Sequence, residues 1–142
     1  ALAGELERVL GMHGVAVLYD CHSIRSRVPF LFEGRLPDFN IGTNSGRACD
    51  PRLADGVEDV CRRAPGYTMV RDGRFRGGWT TRHYGRPAQG VHAIQMELAQ
   101  STYLESETAP FQYDARKADN LREHIGAVLR AIEFMTIKLE SR

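Results

Sequence analysis

The segment Val15-Ala16-Val17-Leu18-Tyr19-Asp20-Cys21 constrains this chain most. It is mostly apolar, rich in β-branched residues, and bounded by Gly14 before it and polar His22-Ser23 after it. Such a run predicts a strand buried on both faces, a feature of parallel and mixed sheets whose faces are covered by helices. A second run, Val91 to Leu98, reads the same way.

Helix signals surround these strands. Leu2, Leu6, Val9 and Leu10 share one face of a first helix, which Gly11 and Gly14 should end. Residues 22–38 read as a loop carrying Pro29, Gly34 and Pro37, and Phe39 to Thr43 as a short strand. Asp50-Pro51 offers an N-cap and a first-turn proline to a helix with Leu53, Val57, Val60 and Cys61 on its stripe, stopping at Pro65-Gly66. Tyr67 to Arg71 is a further strand, and the glycine-rich stretch 72–90 reads as a loop or hairpin. Asp114 should cap a long last helix in which Ala118, Leu121, Ile125, Val128, Leu129, Ile132 and Met135 line one side. This alternation is an α/β pattern: a mixed sheet flanked by helices, in one structural unit over residues 1–142. Long loops after the strands of such a sheet are where ligands bind, although they can equally be plain surface.

Composition excludes several partners. Nineteen Lys and Arg against eighteen Asp and Glu leave a formal charge of +1, which gives no electrostatic footprint for nucleic acid or an anionic membrane. The longest apolar runs are too short to span a bilayer, and no signal peptide is expected. Three cysteines at irregular spacing, Cys21, Cys49 and Cys61, make neither a disulfide framework nor a metal knuckle, and suit a reducing cytoplasm.

Three places can carry chemistry. Asp20 and His22 lie two apart at a strand end and so point to one side, where an imidazole can bind a metal or act as a base while the carboxylate fixes its tautomer. The same pair also fits a histidine that merely satisfies a strand-end carbonyl. Glu97 closes the apolar run in an uncharged neighbourhood; half-dry, it would have a raised pKa suited to a general base, and an ion pair with an arginine is the alternative. The stretch from Gly73 to Arg86 sets Arg74, Arg76, Arg82 and Arg86 among mobile glycines with His83, Trp79 and Tyr84. Guanidinium forks there can hold carboxylates or phosphates, or the stretch is a solvated basic loop. Cys21 faces away from His22, so no Cys–His pair is expected, and His13 and His124 are expected to be solvated on helices.

Taken in order, four stretches resemble the C-terminal part of the N-formylglutamate amidohydrolase family, which is related to zinc carboxypeptidases. They are Val17-Leu18-Tyr19-Asp20-Cys21-His22-Ser23-Ile24-Arg25-Ser26, Leu36-Pro37-Asp38-Phe39-Asn40-Ile41-Gly42-Thr43, Thr81-Arg82-His83-Tyr84-Gly85-Arg86-Pro87 and Val91-His92-Ala93-Ile94-Gln95-Met96-Glu97-Leu98-Ala99-Gln100-Ser101. The resemblance implies a zinc-carboxypeptidase-like fold, present in part, with His22 as one ligand of a divalent metal, zinc by expectation, and Glu97 as general base. It implies hydrolysis of N-formyl-L-glutamate to formate and glutamate, a step of histidine degradation. The substrate would be a small molecule with two carboxylates, for which Arg25, Arg82, Arg86 and His83 are the candidate contacts. The family's remaining metal ligands are expected upstream of this chain, so the isolated chain is expected to be inactive and, with a sheet edge uncovered, to form a homo-oligomer. A different N-acyl amino acid or short peptide as substrate, and a non-catalytic assembly module, are the rival readings.

Overall fold

Gly14 is where the first helix stops. The computed structural model describes residues 1–140, and in it α1 (Leu2–His13) runs through Gly11 and ends on Gly14, whose left-handed backbone (φ 72°) turns its N–H onto the carbonyl of Leu10 at 2.8 Å. Gly11 therefore does not end the helix as expected, because nothing there requires a positive φ. The chain then enters β1 (Ala16–Ile24), which takes in three residues expected in the following loop. β2 (Phe39–Gly42), α2 (Pro51–Arg63), β3 (Met69–Arg71), α3 (Trp79–Tyr84), β4 (Val91–Ala99) and α4 (Ala115–Glu140) follow in order. The stretch read as a loop or hairpin thus holds a helix of six residues, α3, and a 3-10 turn at Pro87–Gln89.

The strands form one sheet in the order β1-β4-β2-β3. β1 is parallel to β4, β4 antiparallel to β2, and β2 parallel to β3, so the sheet is mixed and the α/β expectation holds. Central β4 is buried through nearly its whole length, as its sequence predicts. β1 is not. It lies at the sheet edge, half-buried at best beyond Ala16 and exposed at Cys21, His22 and Ser23. A run of apolar residues does not reveal whether a strand has one neighbour or two.

Alternation along the strands gives the sheet two different faces. Phe39, Ile41, Ile94 and Met96 point to one side, where Leu53, Val57 and Cys61 of α2 and Leu121, Val128 and Ile132 of α4 close the core over them. Asp50 caps α2 by accepting from the Arg52 N–H at 2.9 Å, and Asp114 caps α4 through the Lys117 N–H at 3.0 Å. Two expectations for helical residues fail. Leu129 is exposed rather than on the buried stripe of α4, and His124 is half-buried with its ring edge-on to Tyr67 at 5.0 Å. All three cysteines are free, with Cys49 and Cys61 in the core and Cys21 outside it. No described helix is long and apolar enough to cross a membrane.

Candidate active site

The face opposite the core carries the polar side chains. Parallel pairing sets His22 beside Glu97 and Asp20 beside Gln95, and antiparallel pairing adds Asn40 beside Glu97 and Gly42 beside Gln95. Register partners share a face, so these side chains come together although residues 20–22 and 95–97 are far apart in sequence. Of these, His22, Gln95 and Glu97 line a cavity of about 560 Å³ whose other wall is the loop Gly73–Gly78 with Arg82.

His22, Asn40 and the facing loop are held by specific partners. The Nε2 of His22 meets Asp20 Oδ1 at 3.0 Å, a carboxylate contact that fixes the ring's orientation. Glu97 is only 6% exposed, and burial raises its carboxyl above the usual glutamate range, with nearby His22 opposing the shift. Beneath it, fully buried Asn40 donates from Nδ2 to the main-chain carbonyls of Glu97 (3.0 Å) and Pro37 (2.7 Å), tying the strand at that point to the loop before β2. On the loop side Asp72, itself in left-handed backbone, accepts from the Thr43 N–H at 2.8 Å and from the Thr43 hydroxyl. The loop it starts is then fastened at three successive residues. Asn44 N–H donates to Arg76 O (2.6 Å), the Arg82 guanidinium to Gly77 O (2.7 Å), and Gly78 N–H to Gln95 Oε1 (2.6 Å). Gly42 permits this close approach, since a Cβ there would lie 2.5 Å from Gly77 N.

The expected site residues separate into two groups. His22, Glu97 and Arg82 meet in the cavity. Arg25, His83 and Arg86 do not line it: Arg86 turns toward α1 and a small cleft with Leu6 and Leu10, and His83 stacks on Trp79 at 4.2 Å. Arg74 and Arg76 line it instead; the loop reading includes both among its four arginines, whereas the substrate contacts implied by the resemblance do not. Neither these two nor Arg82 forms an ion pair among the described residues. Gln95 was also missed, yet it stands two residues before Glu97 and must therefore share its face.

His22 with its Asp20 partner suits one corner of a metal centre. Among the described residues, however, no group of three or more His, Cys, Asp or Glu side chains could hold a metal ion, so these residues alone do not make a closed set.

Comparison with known proteins places the chain in a family. The chain is 55% identical over 131 residues to the N-formylglutamate deformylase of Pseudomonas aeruginosa and 51% identical to that of Pseudomonas putida, each alignment covering 92% of this chain and 49% of the relative. Its fold superposes on the crystal structure of an N-formylglutamate amidohydrolase from Ralstonia eutropha JMP134 with a TM-score of 0.79 at 26% identity, over 94% of this chain and 49% of that one. The chain thus spans about half the length of the relatives it matches, and half of a carboxypeptidase-like fold. Residues 1–104 match the N-formylglutamate amidohydrolase family as a whole, and it is to this family that the chain belongs.

Proposed function

We propose that this chain carries the general base and substrate-binding wall of a site that hydrolyses N-formyl-L-glutamate to formate and L-glutamate. One observation carries the reading: a buried, unpaired carboxylate and an oriented imidazole, side by side on adjacent strands, face a cavity with three arginines that no acid neutralises. An arginine-lined cavity suits a substrate bearing two carboxylates. Glu97 takes a proton from water as the water oxygen bonds to the formyl carbon. It then returns that proton to the amide nitrogen as the C–N bond breaks, releasing formic acid and the free amine. Raised by burial, its carboxyl is basic enough to accept the proton and acidic enough to give it back. A divalent metal, zinc by our reading, would polarise the formyl oxygen when bound, with His22 as one of its ligands.

A chimera tests this, with the present chain replacing its matching stretch in the Pseudomonas aeruginosa deformylase. The chimera should hydrolyse N-formylglutamate, and Glu97→Gln should lower its kcat by ~10²–10⁴-fold while substrate binding persists. His22→Ala should instead lower metal content. A Glu97→Gln chimera within threefold of its parent removes Glu97 from the mechanism. The chain by itself should turn over at background, since one histidine holds a metal only loosely. Chelator-sensitive, zinc-restored turnover by the chain alone would refute that expectation.

A further inference from the structure

Gln95 has a donor that the fold does not use. The residue is 4% exposed and lines the cavity, and its Oε1 is committed to the Gly78 N–H at 2.6 Å. That bond fixes which end of the amide is which, because only the oxygen can accept from an N–H. Nε2 is then left with two hydrogens and no protein acceptor among the described residues. Asp20, its register partner, does not take one: Asp20 Oδ1 engages His22, and its buried Oδ2 has no partner. A nearly buried residue whose amide oxygen is committed and whose amide nitrogen, without a protein acceptor, is left to the open cavity fits an acceptor supplied by a ligand.

Position says which acceptor. Gln95 and Glu97 are same-face neighbours on one strand, about 6.5 Å apart along it. If the scissile formyl group sits between His22 and Glu97, the first carboxylate beyond the amide nitrogen reaches over Gln95 and Gly78, while the second extends toward Arg74 and Arg76. Resting on the substrate assignment above, we propose that Gln95 is a specificity-determining residue whose Nε2 donates to the substrate's α-carboxylate. It recognises the near carboxylate without adding a positive charge beside Glu97, and its Oε1 holds the loop that forms the opposite wall.

The side-chain amide resonance of Gln95, identified by its loss in Gln95→Glu, reads this directly in the ¹⁵N-labelled chain. N-formyl-L-glutamate should shift it, whereas 4-formamidobutyrate, which keeps the formamide and the far carboxylate, should leave it in place. Gln95→Glu retains an acceptor for Gly78 and removes the donor. Its Gly78 amide should therefore stay near its original position, while affinity for N-formylglutamate falls at least about tenfold and that for 4-formamidobutyrate falls less. Shifts at His22 and Glu97 with an unmoved Gln95 amide would overturn the proposal and leave the substrate assignment standing, as would equal losses for both ligands. No shift anywhere on the cavity wall would overturn both.

Discussion

His92 sits on β4 with its ring on the opposite side of the sheet from Glu97, and its protonation state is fixed by one hydrogen bond. Its Nδ1 accepts from the Asp50 N–H at 3.0 Å, at the start of α2, so the ring must be neutral with its proton on Nε2. Burial lowers its pKa below the usual histidine value, against the opposing pull of Asp50. A depressed folded pKa means that the unfolded chain binds the proton first as pH falls. The stability His92 contributes is therefore complete above the unfolded value near ~6.5 and is lost as pH falls through its folded pKa, with a slope of at most about 1.4 kcal/mol per pH unit. Urea midpoints between pH 7.5 and 5.5 should decline, and His92→Gln should flatten the decline over that window. An identical slope in the variant would assign it to other groups. Burial moves Glu97 the other way: it raises the carboxyl, so the carboxylate is a stronger proton acceptor than a solvated glutamate.

At the scale of elements, the site depends on a glycine contact between β2 and the loop before α3. Gly42→Ala would drive a methyl group into the backbone of Arg76 and Gly77, atoms that cannot rotate aside. The substitution should cost about 1–3 kcal/mol of stability and displace the Gly78 amide from Gln95. A variant with an unchanged urea midpoint and an unmoved Gly78 resonance would show that the loop is held elsewhere. How much of this was legible depended on the kind of signal each residue carries. β4 was legible, and so were Glu97 and His22, because a charge or an imidazole closing an apolar run stands out. The pairing that puts them side by side was not, since register between distant strands is set by the whole sheet. α3 was hidden because six residues between glycines give too little periodicity to read. Gln95 carries no charge and so vanished into the apolar run. Arg25 and Arg86 lie in motifs, but the direction in which a loop arginine points is decided by what packs around it, as where Arg86 joins Leu6 and Leu10 of α1 in one cleft.

For the whole molecule, the uneven burial of β1 is the fact with the widest consequence. Its nine residues pair with β4 on one side, and among the described residues no strand pairs with the other. Beside that edge lies a trough of about 460 Å³ between α1 and α4, lined mostly by apolar residues such as Val9, Val15, Val17 and Ile132, together with His13, Glu133 and Thr136, and with Met12 and Phe134 exposed on the same two helices. A long strand edge next to an apolar trough is a template for another chain, and soluble proteins rarely leave one bare. A second copy can supply the match: about a two-fold axis, two β1 edges run antiparallel, and each trough meets the same trough of its partner. We therefore expect a homodimer through β1. Sedimentation at high concentration should give twice the 15.9 kDa chain mass. Val17→Lys, which adds a charge to the trough at the edge, should shift the population to monomer while keeping helix content. The candidate-site cavity lies on the sheet face rather than in the trough, so the N-formylglutamate binding proposed above should survive that substitution. A chain that sediments as a clean monomer and binds no hydrophobic dye would show that α1 and α4 already cover the apolar surface, and the edge would need no partner.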